Sequence, residues 1–256
     1  MRADWLRELV LALDAHPEAG LATPKILMID EPSLVNTCGN SITITGLTFC
    51  RGLDEPAASF DQLEAVSAVS GAAFVIRRSV LEAIGGFDED FFMYFEETDL
   101  SLRAALAGFA CLYVPTSVIL HKYDFRFSAQ KCFYQERNRY FSLLKTLRWR
   151  TLLALLPALL IAEAIAWGYA GLQGRAHLRG KLRSHAWLFT NLRRILAKRE
   201  ATQRLRRVSD RVVLRRFTYR LSFARTIGRP VAVALGLTLT PLLFVLRSVS
   251  RAMVWW

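Results

Sequence analysis

Cysteine is scarce in this 256-residue chain, and the four present, Cys38, Cys50, Cys111 and Cys132, form no C-x-x-C pair. The four histidines are not spaced to complete a zinc site with them. A zinc finger and a disulfide-stapled scaffold are therefore set aside, and free thiols in a reducing compartment are expected. Met1 to Val10 is a charged amphipathic stretch with no apolar run behind a basic start, so no leader peptide is read there. No internal repeat and no low-complexity tract is visible. Acidic residues are also scarce in one half of the chain. Residues 1–125 hold 8 Lys/Arg and 18 Asp/Glu, a balance of −10; the remainder holds 26 and 4, a balance of +22, which together give the net +12. A nucleic-acid binder that is basic throughout would not need an acidic front, and the split suggests two regions with different surroundings.

What is abundant is apolar surface. The composition is 53% hydrophobic with a mean hydropathy of +0.24, which points to membrane contact for part of the chain. The pattern predicts a helix over 4–15, with Asp4 able to cap it and Leu6, Leu9, Val10 and Leu13 at helical spacing. It predicts a strand over 21–29, a hairpin or short strands over 41–49, a loop over 51–64 and a buried strand over 66–77. Short helices follow over 78–84, stopped by Gly85-Gly86, and over 98–107, stopped by Gly108. Strands over 111–114 and 118–121 flank Pro115, and a long helix covers 128–148.

At Thr151 the character changes. Residues 151–172 are apolar apart from Glu163, and a bilayer core needs about 20 such residues. Glu163 is costly in lipid unless it faces protein or water. Basic residues flank the segment on both sides, so orientation is undetermined, and a re-entrant or interfacial arrangement stays open beside a true span. From Arg175 to Arg229 there are 17 Lys/Arg against Glu200 and Asp210, with apolar residues interleaved. That fits basic amphipathic helices on an anionic membrane face; an ordinary solvated charged face is the simpler alternative. A second apolar segment, 231–246, leads to Trp255-Trp256, residues suited to a membrane interface.

The most specific feature is the run Gly85-Gly86-Phe87-Asp88-Glu89-Asp90-Phe91-Phe92-Met93-Tyr94-Phe95-Glu96-Glu97-Thr98-Asp99-Leu100-Ser101-Leu102-Arg103. Six acids lie within twelve positions, amid aromatic residues. Crowded carboxylates in an apolar setting raise one another's pKa, and one becomes a usable base. Glu96 and Asp99 share a helix face, and Asp99 can pair with Arg103 four residues on. The competing reading is that Glu96, Glu97 and Asp99 only complement a helix N-terminus.

Together with Ser70-Gly71-Ala72-Ala73-Phe74-Val75-Ile76-Arg77-Arg78, this run resembles the C-terminal part of the catalytic domain of family 2 glycosyltransferases, in the bacterial rhamnosyltransferase-like branch. The resemblance covers roughly 4–150, is specific over 70–109, and continues loosely into the apolar tail. It implies an α/β chain: a partial GT-A-type domain over 1–127, acceptor side, followed by a helical, basic, membrane-associated region over 128–256. It implies inverting transfer from a nucleotide-sugar donor to a glycan or lipid-linked acceptor, with a divalent cation (Mg2+ or Mn2+) at the diphosphate. It places the base on Glu97, where Asp is usual, with Glu96 and Asp99 as supporting acids. From the residues themselves, Gly71 suits close approach of substrate or plain packing, Asp88 is a substrate-side candidate, and Arg137 and Arg139 suit phosphate contact or a membrane-proximal basic helix. The resemblance makes His121 a metal or diphosphate contact, beside the simpler reading of an edge histidine with a structural hydrogen bond. Nucleic acid is not expected as a partner, and the inner membrane, catalytic part cytoplasmic, is the expected location.

The nucleotide-binding βαβ unit and the D-x-D-type acidic motif that the resemblance calls for in the family's first half are not found ahead of the 4–15 helix, which looks like the helix just after that motif. The expectation is a truncated form with weak donor binding. The rival readings are an inactive membrane-bound remnant or accessory protein, and a basic binder of membrane surface or nucleic acid.

Overall fold

The computed structural model describes residues 4–123, 127–223, 225 and 228–256, so Met1–Ala3 of the amphipathic start lie outside the described residues. The chain opens with helix α1 (Trp5–Ala15), which turns Leu9, Ala12 and Leu13 inward. The Asp4 side chain makes no cap bond; its carbonyl accepts from the Glu8 amide instead, at 3.0 Å. Strand β1 (Ala19–Met28) is buried along its whole length. A strand covered on both faces reads as a near-continuous apolar run. Its parallel partner is β7 (Ala110–His121), and β2 (Val35–Thr37) and β6 (Val75–Ile76) pair antiparallel along its other edge. Strand β5 (Glu64–Val66) adds antiparallel outside β7. A separate hairpin joins β3 (Asn40–Ile42) to β4 (Thr48–Cys50).

Two predicted strands come out differently. The segment expected as one strand over 66–77 is two short strands separated by a tight turn. There the Ser70 carbonyl accepts from the Ala73 amide (3.2 Å) and the Ser70 hydroxyl accepts from the Ala72 amide (3.3 Å). A serine that bonds its own backbone offers the chain an alternative to the ladder. Conversely, the strands expected on either side of Pro115 are one strand, β7, with a bulge. Pro24 pairs with Val114 but its neighbour Lys25 pairs with Val118. Proline has no N–H for the ladder, so the register breaks opposite it. The extra residues bend out, and the Ser117 hydroxyl donates to the Trp5 carbonyl at 2.7 Å.

Helices α2 (Arg78–Ile84) and α3 (Glu96–Leu106) pack beside the sheet, followed by α4 (Ala129–Thr146). Beyond it lie α5 (Trp149–Gln173), α6 (Arg175–Thr190), α7 (Leu192–Arg204), α8 (Asp210–Leu214) and α9 (Arg229–Met253). Helices α5 and α9 are long and apolar enough to cross a bilayer. They also share a core with the α/β part: Ile42, Ile44, Leu102, Leu106 and Leu143 cluster with Leu155, Leu159, Phe217 and Leu243.

Glu163 of α5 faces protein. Its carboxylate meets Lys181 (2.9 Å), Arg139 (3.2 Å), His185 (2.9 Å) and the Tyr140 hydroxyl. That arrangement removes the cost a lone carboxylate would carry in an apolar helix.

Candidate active site

Glu97 sits in the first turn of α3, beside the Ser70–Ala73 turn. Thr23 of the central strand holds that turn. Its hydroxyl donates to the Ala73 carbonyl (2.9 Å) and accepts from the Ser70 amide (3.3 Å). The anchoring presents Gly71 to Glu97. A Cβ built on Gly71 would lie 3.6 Å from the Glu97 carboxyl carbon, in ordinary contact. Gly71 thus leaves the carboxylate open on that side. On the other side the Asn40 amide, at the start of the β3–β4 hairpin, donates to Glu97 Oε1 at 3.0 Å.

Burial, and then the adjacent Glu96 charge, push the Glu97 carboxyl up to about 7. Burial also raises Glu96, whose Oε2 is buried and has no hydrogen-bond partner. A carboxylate poised near neutrality, partly exposed beside an open glycine, is what general-base work at neutral pH requires.

The chain enters α3 under strain. Phe92, Tyr94 and Phe95 all have φ between 59° and 71°. Non-glycine residues in the left-handed region cost roughly 1–3 kcal/mol each and persist only where neighbours fix them. Here α4 does the fixing. The Asn138 amide donates to the carbonyls of Phe91 (3.0 Å), Met93 (2.8 Å) and Tyr94 (2.6 Å). Arg137 donates to those of Asp90 (2.7 Å) and Phe91 (2.6 Å). Phe91 itself is fully buried and stacks on Phe141, with ring centroids 4.8 Å apart.

The remaining residues singled out from the sequence lie around this centre in distinct ways. Asp99 is fully buried, paired with Arg103 (2.8 Å) and Lys145 (2.9 Å). The same Arg103 donates to the carbonyls of Ile84, Gly85 and Gly86, tying α2 to α3. Asp88 meets Lys145 at 2.6 Å and also pairs with Lys198. Burial alone would raise its carboxyl, but the two ammonium groups outweigh burial and hold it at about 2. Arg137 grips the loop before Glu97, and Arg139 is buried between Glu136, Glu163 and the Thr45 carbonyl. Neither guanidinium is free to leave these partners without cost. His121 ends β7 with Nδ1 3.1 Å from Asn36 Oδ1; Asn36 lies on β2, the strand leading into Asn40.

The structure thus brings Glu97, Glu96 and Gly71 together, and it seats Asp88, Asp99, Arg137 and Arg139 in ion-pair and backbone contacts behind them. Among the described residues no three His, Cys, Asp or Glu side chains converge to hold a metal ion.

Sequence reasoning missed Asn40, Thr23 and Asn138. The first two lie 57 and 74 positions before Glu97 and carry no local pattern. Asn138 stood between two arginines that drew the attention.

Two kinds of similarity bear on this geometry. The Glycosyl transferase family group 2 model matches residues 1–256, and the chain belongs to that family. Over 53 residues it is 45% identical to the N-acetylglucosaminyl-diphospho-decaprenol L-rhamnosyltransferase of Mycobacterium tuberculosis (strain ATCC 25618 / H37Rv). That stretch is 21% of this chain and 17% of the relative. It is 40% identical over 52 residues to rhamnosyltransferase WbbL of Escherichia coli (strain K12), 20% of either protein. The matched part thus spans about a fifth or less of these relatives.

Proposed function

We propose that the chain is an inverting, nucleotide-sugar-dependent glycosyltransferase of cell-envelope glycan synthesis. In this reading it works at the inner membrane, its α/β part on the cytoplasmic side, on a lipid-linked or polysaccharide acceptor. The observation that carries the reading is Glu97: a carboxyl held near pH 7 beside an open glycine, at the end of a strained and tightly gripped loop. The rhamnosyltransferases it resembles, one of them named for a decaprenol-linked acceptor, point to the same substrate class.

Glu97 would take the proton of the acceptor hydroxyl as that oxygen forms its bond to the anomeric carbon. On the opposite face the bond from the anomeric carbon to the diphosphate breaks, and the nucleoside diphosphate leaves with the electron pair. The Asn40 amide orients the carboxylate, and burial, with the Glu96 charge second, keeps its pKa high. A divalent cation such as Mg2+ or Mn2+ neutralises a departing diphosphate in such reactions. His121 is proposed as a contact to that cation or to the diphosphate.

The test is sugar transfer from radiolabelled UDP- and dTDP-sugars to polyprenyl-diphosphate-linked acceptor in membranes, comparing the parent chain with Glu97→Gln. We expect the variant to lose transfer by a factor of about 10^2–10^4 while keeping its circular dichroism spectrum. Unchanged transfer would remove Glu97 as the base. A parent chain inactive with every donor would favour the accessory-protein or truncated-form readings.

A further inference from the structure

Helices α4 and α6 lie against each other through small residues: a Cβ on Gly180 would sit 2.9 Å from the Ala129 carbonyl oxygen. Beside this contact runs a groove of about 430 Å³, within the size range of small-molecule sites. Its walls are Phe133 and Tyr134 from α4 and Ala176, Arg179 and Arg183 from α6.

The two arginines differ from the basic residues that this region uses in ion pairs. Lys145, Lys181, Arg194 and Lys198 are all turned onto carboxylates of this chain. Arg179 and Arg183, one helical turn apart, are exposed, and among the described residues no carboxylate pairs with either. The Arg183 guanidinium lies over the Phe133 ring, 5.2 Å from its centroid. Cationic forks above aromatic walls suit an anion attached to an apolar body.

Both ends of the groove lead somewhere. Tyr134 packs on Phe92, with ring centroids 5.4 Å apart, and Phe92 belongs to the loop that delivers Glu97. At the other end Ala176 follows three residues after the close of α5, where Leu172 is 87% exposed and Tyr169 meets Phe127 edge-on.

We propose that this groove binds the diphosphate of an isoprenoid-linked acceptor. Arg179 and Arg183 hold the phosphates, the chain's apolar tail runs along α5, and the sugar end passes Tyr134 towards Glu97. The assignment rests on the glycosyltransferase reading above and names the acceptor subsite of that same centre.

The test is flotation of the full chain with phosphatidylcholine vesicles carrying decaprenyl diphosphate, against vesicles carrying the same charge as phosphatidylglycerol. The parent chain should prefer the diphosphate vesicles, and Arg179→Ala with Arg183→Ala should abolish the preference, weakening binding about thirtyfold for two phosphate-contacting arginines. Arg193→Ala with Arg204→Ala, which removes the same charge elsewhere, should keep the preference. Arg179→Lys with Arg183→Lys keeps the charge and loses the fork, and should give intermediate binding.

Equal binding of the parent to both vesicle types would overturn the proposal, as would a preference that survives the double alanine variant. Glu97→Gln separates the two readings, because it should bind the diphosphate vesicles normally while failing to transfer sugar. Transfer by the double alanine variant with an unchanged KM for acceptor would overturn the groove and leave the transferase reading intact.

Discussion

Glu97 has an environment that differs from those of Asp88 and Asp99 in the same cluster. Asp88 and Asp99 are clasped by lysines and an arginine, whereas Glu97 has one neutral amide, a like charge beside it, and burial. The sign of its pH behaviour follows. With a folded-state pKa of about 7 against an ordinary value of 4.5, Glu97 is protonated below neutrality, and transfer should rise through pH 7 towards a plateau. The rate profile of kcat/KM between pH 5 and 9 checks this; a rise centred near 4.5 would contradict it.

The same shift opposes stability. The folded chain holds a proton that the unfolded chain has already released, so stability falls as pH rises from about 4.5 to about 7 and stays lower above. Glu97→Gln, which preserves an oxygen for Asn40, should therefore stabilise the chain at pH 8 by about 1–3 kcal/mol while removing activity. Urea unfolding of both forms at pH 8 and pH 4 measures it, and the gain should vanish at pH 4. Six acids in twelve positions announced a charged site, and the Gly-Gly-Phe-Asp turn with Glu-Glu-Thr-Asp singled out Glu97 as the proposed base. The partner was not legible in the same way: Asn40 reaches Glu97 from β3, which bridges the chain at Ala68, just ahead of the Ser70–Ala73 turn.

At the scale of the element, the loop from Phe91 to Phe95 is a local conflict settled by another part of the chain. Three aromatic residues accept left-handed backbone, and Asn138 and Arg137 of α4 hold the carbonyls that this conformation points inward. Asn138→Ala would leave buried carbonyls unpaired, at about 2–3 kcal/mol of stability. Because the released loop carries Glu97, kcat should fall more than KM for either substrate changes. A loss confined to stability, with kcat intact at a temperature where the variant is folded, would refute the positioning role. Asn138 is fully buried and flanked by Arg137 and Arg139, whose guanidinium groups read from sequence as phosphate contacts. Their burial against backbone and carboxylates comes from the helix packing, which periodicity alone does not give. The division of the 66–77 segment was hidden for a related reason. Its apolar residues suit a strand, but the Ser70 hydroxyl and the Thr23 bonds close a turn that only the neighbouring strand makes favourable.

Across the whole molecule the charge split acquires a structural meaning. The acids of residues 88–99 and the bases of α4 and α7 face each other: Lys145 bridges Asp88 and Asp99, Lys198 bridges Asp88 and Asp90, and Arg194 reaches Asp90. Part of the basic character that suggests a membrane face is thus turned inward, and the surplus, Arg179 and Arg183 among it, remains outside. The packing of α5 tells the same story. Leu155, Ala158 and Leu159 enter a cluster with Ile42, Ile44, Leu102 and Leu143, and Glu163 closes the charge of Arg139 and Lys181.

A chain cut after Arg148 would lose Leu155, Ala158, Leu159, Glu163 and Lys181 from these contacts. It would expose an apolar face on β3, α3 and α4 and leave Arg139 buried with Glu136 as its remaining acid. Apolar contact is worth about 25 cal/mol per Å2, and folded chains ordinarily lie only about 5–15 kcal/mol below unfolded ones, so a loss of this kind cuts into a narrow margin. The 1–148 fragment is therefore expected to aggregate or to unfold without a cooperative transition, whereas the full chain in detergent should melt as one unit. Circular dichroism melts with size-exclusion chromatography decide it, and a soluble 1–148 monomer with a sharp transition would show that the helices lean on the α/β part without supporting it. The dependence would also tie the loop that carries Glu97 to the helical region: the residues gripping it, Arg137 and Asn138, belong to α4, the helix against which α6 and α7 pack.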